Sequence, residues 1–130
     1  IARKIFFAAA ILHTANIIAR YIEAGHTPIT NIHETISFFA WSISWCYLSF
    51  RWRYTVKNFG TFASMMVLSL MVISALAPDK IIPLPPTMQS WLLPFHASIA
   101  ILADAFLALA AIGGSMYLLQ ERELKQKRFG

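Results

Sequence analysis

Charge and cysteine are both scarce in this chain, and each scarcity excludes something. Only 13% of its 130 residues are charged, with Asp and Glu together numbering 6, against roughly 25% charged in an ordinary soluble domain. So little charge cannot coat a water-exposed surface. The single cysteine, Cys46, leaves no intrachain disulfide to form and no basis for reading a redox compartment; inside an apolar stretch it is expected to be a small packing residue. There is no internal repeat, no low-complexity tract and no soluble linker, and 130 residues leave no room for a separate soluble domain.

What the chain has instead is apolar sequence in blocks. Hydrophobic residues make up 58% and the mean hydropathy is +0.58. A membrane-spanning helix needs about 20 mostly apolar residues, and four stretches qualify: 5–22, 35–50, 61–77 and 97–119, the second being short but rich in Trp and Phe. A backbone in lipid must satisfy its own hydrogen bonds, and runs without in/out alternation select helices over a barrel. The expectation is an all-α membrane protein of four transmembrane helices forming one transmembrane domain over residues 1–130. The stretch 5–22 carries His13, Asn16 and Arg20 and lacks a small-residue cleavage site, so it reads as a span and not a signal peptide. The chain begins at Ile1, and the basic tail 124–130 reads as a loop leading further, which suggests the N-terminal part of a longer protein.

Charge placement gives the orientation. Arg3 and Lys4 precede the first span, Arg51, Arg53 and Lys57 follow the second, and Arg122, Lys125, Lys127 and Arg128 follow the fourth. The positive-inside rule makes that side cytoplasmic, with both termini inside and two external loops at 24–31 and 79–94. The net charge of +5 comes from these juxtamembrane groups beside anionic lipid, not from nucleic-acid binding. Five of the six prolines fall in 78–94, so the second external loop is one long irregular connection. It is too apolar to float in water and is expected to lie along the outer interface, with Trp91 as anchor, delivering His96 to the external mouth of the fourth span. In the first loop Gly25 and Pro28 force a turn, Asn31 caps the next helix, and Glu34 sits in capping-box position.

Ionisable residues inside the bilayer are costly and prompt functional hypotheses. His13, Asn16 and Arg20 share one face of the first helix. Asp104 lies eight residues after His96, roughly 12 Å along a helix, which places it near the depth of Asn16. An ion pair or hydrogen-bonded cluster between the first and fourth helices is therefore expected, either as polar glue or as part of a site. His26 and His33 read as turn and helix-start residues, and Met65, Met66 and Met71 as lipid-facing or packing surface.

Two segments resemble a known family. Gly25-His26-x-Pro28-x-x-Asn31-x-x-Glu34 followed by Phe39-Ala40-Trp41 is similar to the external segment of CcsA/ResC-type cytochrome c assembly proteins, and Pro85-Pro86-Thr87-Met88-Gln89-Ser90-Trp91-Leu92 with His96 resembles the same family's stretch at the outer start of a span. The resemblance covers nearly all of this chain but only the N-terminal part of the family's core. It implies a protein of the bacterial cytoplasmic or the thylakoid membrane that holds heme at the outer face and presents it for covalent attachment to apocytochrome c. Its partner would be another cytochrome c assembly membrane protein, the two forming part of a cytochrome c synthase (heme lyase) complex.

In that reading His96 is the axial ligand to the heme iron and Trp91 flanks it. Arg20 helps neutralise a propionate and Asp104 tunes the site. The second axial histidine and the tryptophan-rich segment would lie beyond these residues. Asp104 departs from the family pattern, which commonly has an aromatic such as Tyr at that spacing. Two other classes stay open: a b-type cytochrome or quinone-reactive subunit, for which His13 lacks a second mid-span histidine, and an ion-transport subunit, motivated only by Arg20 and Asp104.

Overall fold

The computed structural model describes residues 1–129, leaving Gly130 of the basic tail outside the described part together with the side chains of Arg128 and Phe129. It is all-α. Helices α1 (Ala2–Ala24), α2 (Ile32–Arg53), α3 (Phe59–Leu76) and α4 (Leu92–Phe129) follow one another, and a single 3-10 turn at Pro86–Met88 interrupts the long α3–α4 connection.

Local chemistry sets the helix ends. Gly25 takes a left-handed φ of 72° and its N–H donates to the Tyr21 carbonyl, closing α1, a conformation in which glycine carries no Cβ penalty. Asn31 caps α2, its side-chain oxygen accepting from the Glu34 N–H at 2.7 Å. The fourth helix begins at Leu92, earlier than residue 97. Pro94 is tolerated there because it falls in the first turn, where the missing N–H has no intrahelical acceptor. Trp91 therefore directly precedes α4 and His96 sits in its first turns, so the irregular connection ends sooner than residue 96.

The helix α2 is the hub: it packs against α1, α3 and α4, and α3 also packs against α4. The core joins Ile43, Cys46 and Tyr47 of α2 to Phe59 and Ala63 of α3 and Ala105, Leu109 and Met116 of α4. Cys46 is buried there as a packing residue.

Among the described residues three helices, not four, are long and apolar enough to cross a membrane: α1, α3 and α4. The 22-residue α2 has the length, but Ser37, Ser42, Ser44, Ser49 and three tryptophans dilute it. Its central position explains why it can be less apolar, since its faces meet protein more than lipid. Its serine hydroxyls are satisfied at home, Ser42 donating to the Phe38 carbonyl and Ser44 to the Ala40 carbonyl, each at 2.9 Å.

Candidate functional site

The end of α1 and the start of α2 are tied by a polar knot centred on Glu34, which is only 2% exposed. Arg20 near the end of α1 donates from Nε to Glu34 Oε1 at 3.0 Å. Thr30 donates to Glu34 Oε2 from both its N–H (3.0 Å) and its hydroxyl (2.7 Å). Burial works against ionisation of this carboxyl, but the Thr30 hydroxyl and N–H and the Arg20 guanidinium outweigh it and hold Glu34 below its ordinary value. The same knot captures the α3–α4 connection: Arg20 Nη2 donates to the Asp79 carbonyl, and Asn31 Nδ2 donates to the Lys80 carbonyl at 2.9 Å.

Arg20 is thus paired with Glu34 and not with Asp104. The expected cluster between the first and fourth helices does not form, because the main interfaces of α4 are with α2 and α3. Asp104 is exposed on α4 and Asn16 is exposed on α1. The short turn between α1 and α2 is the signal that could have found the true pair, since it brings the last turn of one helix beside the first turn of the next.

The four histidines fall into different situations. His13 bonds through Nε2 to the Ser37 hydroxyl at 2.9 Å. Just beyond it, Thr14 Oγ1 accepts from the indole N–H groups of Trp41 (2.8 Å) and Trp45 (3.1 Å), so part of the tryptophan content of α2 is explained by helix pairing. His33 donates from Nδ1 to the Ser74 carbonyl at 2.7 Å, and the Ser74 hydroxyl returns a bond to the His33 carbonyl at 2.9 Å, fastening α2 to α3. His26 uses Nδ1 on the Thr27 carbonyl at 3.1 Å, while its Nε2 is buried with no partner among the described residues.

His96 differs from all three: it is exposed on the first turns of α4, and neither ring nitrogen is engaged among the described residues. Around it the helix presents Leu92, Phe95 and Ile99, each more than half exposed, and Trp91, 72% exposed and packed against Phe95 with ring centroids 6.1 Å apart. This fits one axial ligand of a heme and one apolar platform for a porphyrin face. It does not enclose a heme. The nearby cavity under the external loops, lined by Thr27, Thr30, Met88, Leu93 and Ala97, holds about 130 Å³, well under the roughly 300–1,000 Å³ of a usual ligand pocket.

A larger cavity, about 480 Å³, lies toward the other end of the bundle between Cys46, Phe59, Leu109 and Met116. Among the described residues no histidine lines it, so it offers packing surface without an imidazole.

Comparison with known proteins agrees with this architecture. The profile described as cytochrome C assembly protein matches residues 29–130. The chain belongs to the cytochrome c assembly protein family. Relatives include proteins named cytochrome c biogenesis protein CcsA from three cyanobacteria. The one from Synechococcus sp. (strain CC9605) is 27% identical over 125 residues, 93% of this chain and 41% of the relative. That from Parasynechococcus marenigrum (strain WH8102) is 28% identical over 130 residues, covering 94% and 43%. The Trichodesmium erythraeum (strain IMS101) protein is 29% identical over 120 residues, covering 86% and 34%. The chain therefore spans about two fifths of the length of these relatives. No solved structure matches it. Family membership and helices able to cross a membrane make this a multi-pass membrane protein.

Proposed function

We propose that this chain is the N-terminal part of the core of a cytochrome c biogenesis protein that handles heme at the outer face of the membrane, with His96 as one axial ligand. The observation that carries the reading is the state of the four histidines. His13 and His33 are bound into helix–helix contacts and His26 into its turn, whereas His96 stands exposed on an aromatic platform with both ring nitrogens available. Family membership supplies the context. All four helices cross the bilayer in this reading, α2 being sheltered by its neighbours, with the basic ends cytoplasmic by the positive-inside rule.

When bound, heme supplies the vinyl groups to which cytochrome c thiols attach. The chain's own residues have simpler tasks. His96 would hold the iron through one imidazole nitrogen, its other nitrogen requiring an orienting acceptor. Trp91 and Phe95 would shield the bound group from water. Arg20, already neutralised by Glu34, acts as a positioning residue that fixes the outer loops, and Asp104 faces whatever packs on the free side of α4. The second ligand, the apocytochrome and the partner assembly protein would meet this surface from outside these residues.

The test is His96→Gly in the full-length protein, read by the heme absorption spectrum and by cytochrome c maturation in cells. The expected result is loss of most heme with partial recovery on adding imidazole, which fills the vacated position. An unchanged spectrum with normal maturation would overturn the assignment. A b-type cytochrome reading is less favoured, because His13 is already bonded to Ser37.

A further inference from the structure

At the end of the bundle opposite the Glu34 knot, the start of α1, the end of α2 and the start of α3 surround a cavity of about 300 Å³. Its lining carries donors from three helices: Arg3 from α1, Tyr47 and Arg51 from α2, and Thr61 and Ser64 from α3 beside Asn58. No carboxylate lines it. Two arginines facing one space repel each other unless an anion lies between them, and in water the repulsion would simply splay them. Here Arg51 is held, its Nη1 donating to the Val56 carbonyl at 3.3 Å.

Two further observations point to a ligand. Tyr47 is only 6% exposed, yet its hydroxyl has no hydrogen-bond partner among the described residues and sits on the cavity wall. A Cβ on Gly60 would fall 2.2 Å from that hydroxyl oxygen, so the ring is packed directly against the first turn of α3. The hydroxyl is not itself sealed off, so the cavity is where it can find a partner. The second observation is the helix start itself. Asn58 adopts a left-handed φ of 64° and its side chain makes no cap bond; its carbonyl accepts from the Thr61 N–H at 3.1 Å, but no side chain caps the first turn of α3. A helix N-terminus favours negative charge.

We propose that this cavity is a phosphate site at the basic membrane face, with Arg3 and Arg51 bridging the phosphate oxygens and the Tyr47 hydroxyl and the α3 N-terminus completing the shell. The lining donors come from three different helices, which suits a tetrahedral group with three or four oxygens better than a flat carboxylate. Phe6 and the Tyr47 ring form an apolar wall beside it. The phosphate can belong to the headgroup of an anionic glycerophospholipid in the leaflet that the basic residues face, or it can be free phosphate.

Calorimetric titration of the full-length protein in detergent with dihexanoyl phosphatidylglycerol, dihexanoylglycerol (which lacks the phosphate) and inorganic phosphate tests the site and separates the sources. Saturable binding of the phosphatidylglycerol alone assigns a lipid headgroup, and binding of inorganic phosphate as well assigns free phosphate. In either case the combined Arg3→Gln and Arg51→Gln changes should weaken binding by about tenfold or more, and Tyr47→Phe, which keeps the ring and its packing, by roughly threefold. Arg53→Gln removes a charge from the same end without touching the cavity and should leave affinity within about twofold. The proposal is overturned if neither phosphate compound binds, if dihexanoylglycerol binds as well as the phosphatidylglycerol, if Tyr47→Phe has no effect, or if Arg53→Gln weakens binding as much as the loss of Arg51 does.

Discussion

The two ends of the helix bundle are held together by different physics. At the Glu34 end, side-chain hydrogen bonds and one ion pair fasten α1 to α2, α2 to α3, and the α3–α4 connection to both α1 and α2. At the Arg51 end the contacts are aromatic. Tyr47 meets Phe6 edge-on at 5.2 Å and Phe59 at 5.8 Å, and Phe50 packs on Phe59 at 5.4 Å. At the polar end the cavity beneath the loops holds about 130 Å³. Toward the aromatic end lie larger cavities of about 480, 320 and 300 Å³. Directional bonds fix a geometry, whereas rings at 5–6 Å fill space without demanding a unique partner.

That contrast can be broken from either side. The largest effect is expected from Glu34→Ala, which leaves Arg20 beside an empty buried site and removes both Thr30 bonds, and should destabilise the protein by about 3 kcal/mol. Denaturation midpoints in detergent measure this, and a loss under about 1 kcal/mol would mean that water already shares the site. Next comes Gly60→Ala, whose methyl would lie 2.2 Å from the Tyr47 hydroxyl and force the ring aside, costing roughly 1–3 kcal/mol. The companion change Tyr47→Phe removes that oxygen and should recover part of the loss.

A smaller effect distinguishes partners. In a double-mutant cycle Arg20→Gln and Glu34→Gln should couple by about 1 kcal/mol or more, while Arg20→Gln and Asp104→Asn should add within about 0.5 kcal/mol. Coupling of the second pair and additivity of the first would reverse the assignment of Arg20.

The smallest effect is pH dependence. Glu34 is held below its ordinary value in the folded protein, so the stability it contributes is fully present above the unfolded carboxyl value of about 4.3. That contribution is lost as pH falls through the lower folded value. The Glu34→Gln protein should lack this acid limb, seen as a flatter melting curve below about pH 4.

Much of the polar end was legible in the sequence, though not its central bond. Asn31 as cap and the turn at Gly25 follow from local chemistry, and both are present. Depth along the helices points Arg20 at Asp104, but depth carries no information about which helices are neighbours, whereas a short turn does. The helix α4 starts earlier than the apolar run at 97 because Pro94 is harmless in a first turn. The reduced apolarity of α2 was visible in its serines and tryptophans, but its cause, a central position, is a tertiary property. Neither the Tyr47–Gly60 contact nor the cavity beside it leaves a periodic trace, since its lining comes from three helices.

Heme content per protein across the series His13→Ala, His26→Ala, His33→Ala and His96→Ala, measured in the full-length protein at matched folded amounts, tests most directly whether these imidazoles divide into structural ones and one proposed ligand. The expected result is that His13→Ala and His33→Ala lower the melting temperature but keep heme in the protein that remains folded. His26→Ala should change little, and His96→Ala should lose heme without loss of stability. Full heme in the His96→Ala protein, with heme lost instead from a normally stable His13→Ala or His33→Ala protein, would contradict that division.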